Sequence, residues 1–243
     1  MNSKPPNFKL QIIFLHLAHV LAGLFFIGFV PFAHLLPAPS PHASAAEIAK
    51  FYTENASSIR VGATLMLISF GLWMPWASVV IAWTRKIEGH YPILTYTQIA
   101  SVAMSAFIAL LCAFFWGVAA FRPGEVSPDV TLTLNDMGWM MFLIMWPPYS
   151  VWCLSVGLAV LLDASDTPLL PRWTGYLSLL TAFLFIPAAL PLFFKRGQFA
   201  YNGLLGMFLP LLIFFIWVEG MTYALIKAIR KEQAEQALQA ATR

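Results

Sequence analysis

Charge is what this chain has least of: 14 Lys and Arg and 11 Asp and Glu make up 10% of its 243 residues, against 60% hydrophobic. Too few charged groups are present to solvate an ordinary globular surface, and the balance is that of a polytopic membrane protein. Cysteine is nearly absent. Cys112 and Cys153 both sit inside apolar runs without a CxxC neighbour, so neither a disulfide framework nor a zinc ribbon is expected, and both read as small packing residues. The net charge of +3 comes with no basic tract, which argues against nucleic acid as a partner. Gly-rich phosphate loops, nucleophile elbows and an HExxH pair are missing as well.

Long apolar runs are what the chain does have. They lie near 10–35, 59–84, 97–121, 136–162, 172–194 and 203–227, each long enough to cross a membrane at about 1.5 Å per residue. The expected fold is all-α: one membrane domain over 1–243, a polytopic bundle of six spans, with an outer loop at 36–58 and a tail at 228–243. Lys4 and Lys9 precede the first run as in a signal peptide, and Pro41–Ala46 (PHASAA) loosely resembles a cleavage site. The run is roughly twice the usual signal length, however, so a retained span is expected. Lys4, Lys9, Arg85, Lys86, Arg172, Lys227, Arg230, Lys231 and Arg243 fall on one side, and Lys50, Arg60, Arg122, Lys195 and Arg196 on the other. Nine against five favours both termini in the cytoplasm. Lys195 and Arg196 run against that bias, but making the fifth segment re-entrant would put Lys227, Arg230 and Lys231 outside, a worse violation.

Pro31, Pro75, Pro147, Pro148, Pro187, Pro191 and Pro210 punctuate the spans. Each removes a backbone donor and tends to kink its helix, and a kinked bundle can open a cavity near the midplane. Ser101, Ser105, Ala109, Ala113 and Gly117 place a small residue at every fourth position of the third span. That stripe suits close helix approach, in the centre of the bundle or at a homo-oligomer or helix-partner interface. Ser44-x-x-Glu47 is a capping-box pattern, followed by Ile48, Phe51 and Tyr52 at helical spacing, which predicts a short helix on the outer interface. Asn135 and Asp136 open the fourth span, where Asp136 would meet a helix N-terminus. Arg60-Val-Gly62 opens the second span and Arg172-Trp-Thr-Gly175 the fifth, each with a proline about a dozen residues on; such an echo is what an inverted repeat leaves.

The candidate site starts from Glu219, the sole charge in the run 203–226. A carboxyl inside a span costs a few kcal/mol to insert, so it normally faces the bundle interior, pairs with a partner or serves a pathway. His16 and His19 share one face of the first span, with Gly23 one turn on, at about the depth of Glu219 by helical rise. If the first and last helices touch, a Glu–His bond is available that could hold or pass a proton. The plainer alternative is a Glu219 bonded to Tyr223, Thr222 or a histidine that only fixes helix packing. Ligands from one turn do not suit a bis-histidine haem. His16, His19 and Glu219 would supply the three ligands of a catalytic zinc, but no supporting carboxylate accompanies them; no metal and no cofactor is expected.

Trp83, Trp116, Trp139 and Trp173 fall near span ends, as belt anchors do. Trp73, Trp76, Trp146, Tyr149, Trp152, Trp217 and Tyr223 fall deeper or beside the prolines, where aromatic walls could bind an apolar small molecule or simply fill the gaps kinks leave. The strings Phe51–Gly62, Leu134–Gly138 and Pro171–Gly175 resemble those of small polytopic bacterial membrane proteins. That resemblance covers most of the chain, brings no reaction or site residue with it, and implies a bacterial cytoplasmic (cell inner) membrane. The leading functional expectation is binding or transport of a small, largely apolar molecule, proton-linked through Glu219. The alternatives are a membrane enzyme using Glu219 with His16 or His19 as acid–base groups on a lipid-soluble substrate, and an accessory subunit of a membrane complex.

Overall fold

The computed structural model describes residues 7–242, and all regular structure within them is helical. Lys4 and Arg243, counted in the charge balance, lie outside the described residues. Six helical stretches are long and apolar enough to span: Phe8–Phe32, Ala45–Arg85, Ile93–Ala119, Pro128–Leu161, Arg172–Leu192 and Gly197–Ala241. The chain is a multi-pass helical bundle, with the number and order of spans that its apolar runs predict.

Helix α1 (Phe8–Ile27) is capped by Asn7, whose Oδ1 accepts from the Leu10 N–H at 3.0 Å, and it ends in a π turn, Gly28–Phe32, around Pro31. Helix α2 (Ala45–Arg85) starts at the expected capping box: Ser44 Oγ accepts from the Glu47 N–H while Glu47 Oε2 accepts from the Ser44 N–H. The separate interfacial helix expected here does not exist, because α2 runs unbroken for 41 residues. No glycine or proline stands between Glu47 and Val61 to stop it. At about 1.5 Å per residue it is twice as long as a hydrocarbon layer of about 30 Å is thick. Its polar first turns bury only Ile48, Tyr52 and Ile59, against the end of α3 (Ile93–Ala119) and the start of α4 (Pro128–Leu143).

Helix α4 begins eight residues before the expected position, with Pro128 in its first turn after Ser127. Pro is preorganised for that place and lacks the donor it would otherwise leave unpaired. Asp136 therefore lies two turns inside the helix rather than at its N-terminus, and Asp129 holds the first-turn position instead. The remaining elements are α5 (Pro147–Leu161), α6 (Arg172–Leu184) with a 3-10 stretch at Ile186–Leu192, and α7 (Leu209–Ala241) behind a π turn at Leu204–Phe208. The expected extension of the last helix beyond Lys227 is present, and Lys86 Nζ bonds Glu232 Oε2 on it at 2.6 Å.

Around the bundle α1 meets α2 and α7, α3 meets α2, α4 and α5, and α6 meets α5 and α7; α2 also reaches α4, α5 and α7 from a central position. Of the small-residue stripe of α3, Ser101, Ser105, Ala109 and Ala113 are buried within this chain and Gly117 is half-buried, as in a helix at the centre of a bundle. Two glycine crossings bring backbones together. A Cβ on Gly62 would lie 2.5 Å from the Gly28 carbonyl oxygen and 2.6 Å from the Ala33 nitrogen, and one on Gly157 would lie 3.0 Å from the Gly175 carbonyl oxygen. Both glycines of the sequence echo, Gly62 and Gly175, thus sit at close backbone approaches between consecutive spans.

In the α5–α6 turn, Asp163 accepts from the Ser165 hydroxyl at 2.6 Å and from the Leu169 N–H at 2.8 Å. Burial pushes its carboxyl up, but those bonds, a third from the Ser165 N–H and the charge of Arg172 outweigh it and hold the group below the usual carboxylate range. A depressed folded-state value means that the stabilisation is complete above the unfolded pKa of about 3.9 and is lost as pH falls through the folded one. Asp163→Asn should remove this acid-dependent part of the stability, measured as unfolding midpoint against pH in detergent; a variant with the wild-type profile would exclude the turn as its source. Gly62→Ala should lower stability by about 2 kcal/mol because backbone must move aside, whereas Gly71→Ala, with nothing within 4 Å of the added Cβ, should leave the midpoint unchanged or raised. Equal midpoints for the two alanine variants would contradict the crossing geometry.

Candidate functional site

Three helix breaks converge on one place. The first separates α4 from α5, where Pro147 and Pro148 take the first two positions of α5 and so remove two donors that would otherwise have no partner. The second is the change from α6 to 3-10 turns around Pro187 and Pro191. The third is the π turn before Pro210 of α7. Met141–Leu143, Trp146 and Tyr149 from the first break, Phe185 and Ala188 from the second, and Met207, Pro210 and Leu211 from the third line a partly enclosed cavity of about 100 Å³. Leu21 and Phe25 of α1, Phe70 and Trp73 of α2, Ala106, Ile108, Ala109 and Cys112 of α3, and Phe214 and Phe215 of α7 complete its wall.

The cavity is apolar with few polar groups near it. Tyr149 OH donates to the Ser105 carbonyl at 2.9 Å, and Ser150 Oγ donates to the Ala182 carbonyl, one of the last of α6, at 2.8 Å. Cys112 Sγ turns back on its own helix, 3.1 Å from the Ala109 carbonyl. Among the described residues Trp73 Nε1 and Ser105 Oγ are buried without a partner, as are the indole N–H groups of Trp116, Trp139 and Trp152; Trp73 therefore offers the cavity its ring rather than its N–H.

The sequence-derived aromatic set divides three ways. Trp73, Trp146 and Tyr149 line the cavity. Trp76, Trp152 and Trp217 are fully buried behind Trp73. Trp73 stacks on Trp76 at 4.7 Å and meets Trp152 edge-on at 5.3 Å, and Trp152 meets Trp217 edge-on at 4.9 Å. Two indoles of this group are anchored, Trp76 Nε1 to Thr222 Oγ1 and Trp217 Nε1 to Ser178 Oγ, both at 2.8 Å. Tyr223 stands on the outside of α7, 64% exposed.

The pairing available to Glu219 is made. His19 Nε2 and Glu219 Oε2 are 3.1 Å apart, joining α1 to α7, and His16 stacks loosely beside His19 with ring centroids 5.5 Å apart. The pair does not face the interior. The side chains of His19 and Glu219 are 51% and 48% exposed, on the outer flank of the bundle. Thr222, the alternative partner, is taken by Trp76.

Sequence reasoning missed a second cluster towards the loops opposite the termini. Trp139 stacks on Tyr201 at 4.8 Å and meets Trp116 at 5.2 Å, while Tyr52 OH donates to Asn135 Oδ1 at 3.3 Å. Trp116 and Trp139 are therefore packed inside rather than standing as belt anchors, and so is Trp83 at the other end, where it donates to Gln11 Oε1 at 2.7 Å; of the four so assigned, Trp173 alone is exposed. The available signal was Gly138, where a Cβ would lie 2.4 Å from Trp116 Nε1. Among the described residues no three His, Cys, Asp or Glu side chains are placed to hold a metal ion.

Trp76→Phe takes the donor from the buried Thr222 hydroxyl, and Trp217→Phe takes one of two partners from Ser178 Oγ, which still donates to the Thr174 carbonyl at 2.7 Å; each loses a buried hydrogen bond and should cost about 1–3 kcal/mol, the first more than the second. Trp73→Phe removes a donor that has no partner and should cost less than either, measured by thermal unfolding in the same detergent. A Trp73→Phe loss as large as the other two would mean that its N–H is bonded. Compared with known proteins, the chain matches no family model, no curated sequence and no solved structure.

Proposed function

We propose that this protein binds a small, largely apolar molecule in the cavity and moves it across the membrane, with the movement linked to protonation of Glu219. The observation that carries the reading is the convergence of three helix breaks on one apolar, aromatic-walled cavity. Breaks supply hinge points as well as space, because segments on either side can turn without disturbing a continuous backbone ladder. The proton link is supported by placement: His19 and Glu219 lie on the two helices that contribute Leu21, Phe25, Phe214 and Phe215 to the cavity wall. The proposed setting is a bacterial cytoplasmic membrane with both termini in the cytoplasm. Lys9, Arg85, Lys86, Arg172, Lys227, Arg230 and Lys231 all gather at the end of the bundle that carries the termini.

A second reading is favoured by one contact. The His19–Glu219 separation of 3.1 Å is that of an acid–base pair, and its position on the flank would suit a lipid-soluble substrate. In that reading Glu219→Gln or His16→Ala removes turnover of a bound substrate.

Native mass spectrometry of the protein released from gentle detergent tests the first reading. Wild type should carry a discrete non-lipid mass, and Ala109→Leu, which fills the cavity, should lose it. Glu219→Gln should retain the mass but abolish the pH dependence of flux of that compound in proteoliposomes. Spectra showing only protein and ordinary lipid for wild type and variant alike would count against a tightly held ligand and the cavity reading with it.

A further inference from the structure

The volume of the cavity at the three helix breaks, about 100 Å³, falls well short of the roughly 300–1,000 Å³ of pockets for drug-sized ligands. It lies closer to engineered apolar cavities of about 150 Å³, which take up benzene or xenon. One six-membered ring is the right scale, and two fused rings are too large. Among the described residues no acidic, basic, amide or aliphatic hydroxyl side chain lines the space. The Tyr149 hydroxyl and the Cys112 thiol are both turned to backbone carbonyls, of Ser105 at 2.9 Å and of Ala109 at 3.1 Å. A polar group on an occupant would go unbonded there, which is costly.

Being apolar is not enough to draw a molecule out of a membrane, because lipid tails are as apolar as the wall. What the cavity offers is space that is already open, between side chains that lack dispersion contacts while it stays empty. The back of its wall is tied in place, since Trp73 stacks on Trp76, whose indole N–H donates to Thr222. A rigid ring gains the missing contacts without losing rotamers, whereas an acyl chain must give up internal rotations to fill the same volume. The rings of the wall point the same way. Phe25 lies 6.1 Å from Phe142 and 6.0 Å from Phe215, while Phe214 lies 4.9 Å from Trp73 and meets Tyr149 edge-on at 6.1 Å. An aromatic guest continues this set of face and edge contacts, which attract beyond burial alone; a saturated ring of the same size does not.

We infer that the cavity is a site for a single aromatic ring, about the size of benzene, that bears no polar substituent. The volume admits one ring, the polar groups already spent on backbone reject phenols, anilines and carboxylates, and the ring-lined wall prefers an aromatic guest to a saturated one. The inference rests on the reading of the cavity as a binding site, and it holds whether or not binding is followed by movement across the membrane.

The test uses the full chain in phosphatidylcholine nanodiscs and fluorine NMR of fluorobenzene, para-fluorophenol and fluoronaphthalene, each at the same concentration in the lipid. Fluorobenzene should broaden beyond its width in protein-free discs, and the phenol and the naphthalene should bind about tenfold more weakly, for want of a hydrogen bond and of room. Unlabelled benzene should displace fluorobenzene at about fivefold lower lipid concentration than cyclohexane. Ala109→Leu, which fills the space, should abolish the broadening; the displacement series uses wild type and stands even where that variant fails to fold. Fluorobenzene no broader than in protein-free discs would overturn the inference, as would a phenol or naphthalene that binds as tightly, or undiminished broadening in folded Ala109→Leu. So would displacement by cyclohexane or by dodecane at the same concentration as benzene, the dodecane result assigning the space to a lipid tail. A discrete mass in native spectra that fluorobenzene does not displace would leave the transport reading standing and overturn the ring. Displacement of such a mass, with no flux of it in proteoliposomes, would keep the ring and overturn the transport reading.

Discussion

Backbone groups inside a membrane have no water to fall back on, and that constraint shapes every irregular feature of this bundle. Where a helix breaks, its last carbonyls must be met by something else. Ser150 meets the Ala182 carbonyl at the end of α6, Ser58 meets the Phe32 carbonyl at the end of the first π turn, and Ser69 reaches the Leu21 carbonyl of α1. The donor side is handled by subtraction, since Pro147 and Pro148 begin α5 with no N–H to satisfy. The breaks before α5 and after α6 are answered locally in this way, and the meeting point of all three is where side chains leave space. The cavity follows from the proline pattern in this sense: it is what remains when interrupted helices are packed around a continuous α2.

Large aromatics bound that space. Trp73, Trp76, Trp152 and Trp217 pack mostly edge-on, with two indole N–H groups tied to hydroxyls of α6 and α7. Such contacts are directional as well as large, so they hold α2, α5, α6 and α7 in a defined register. A wall of this kind is stiff on the Trp76–Trp217 side. Phe214 and Phe215 close the other side by rings packed on Trp73 at 4.9 Å and on Phe26 at 4.9 Å, and their helix begins in a π turn.

How much of this could be read from sequence depended on which force left the signal. Span number and order came from apolar length, the start of α2 from Ser44 and Glu47, and the His19–Glu219 contact from two rare polar groups at matching depth. The facing of each helix was not legible. In water, periodicity separates core from solvent, but in lipid both sides of a span are apolar, so hydropathy does not tell lipid from neighbouring helix. That is why Trp83, Trp116 and Trp139 read as interface anchors yet pack inside, and why the depth of Glu219 was evident but its outward direction was not. The length of α2 was hidden for a different reason: a polar stretch looks like a boundary, yet this one holds no glycine or proline to stop the helix.

The outward direction of Glu219 bears on how it relates to the cavity. A carboxyl sealed in the core would be reached only through the protein, whereas one on the flank exchanges with whatever approaches from the lipid. His19 and Glu219 also cross the seam between α1 and α7, and within two turns on each helix that seam is continued by Phe26 on Phe215 at 4.9 Å and Phe25 on Phe215 at 6.0 Å. Phe25 and Phe215 belong to the cavity wall. A ligand or proton that alters the His19–Glu219 bond therefore acts on the same helix pair that closes one side of the cavity, through packed aromatic rings rather than through a polar wire. The coupling this arrangement permits is mechanical and short, and it passes through the α1–α7 seam.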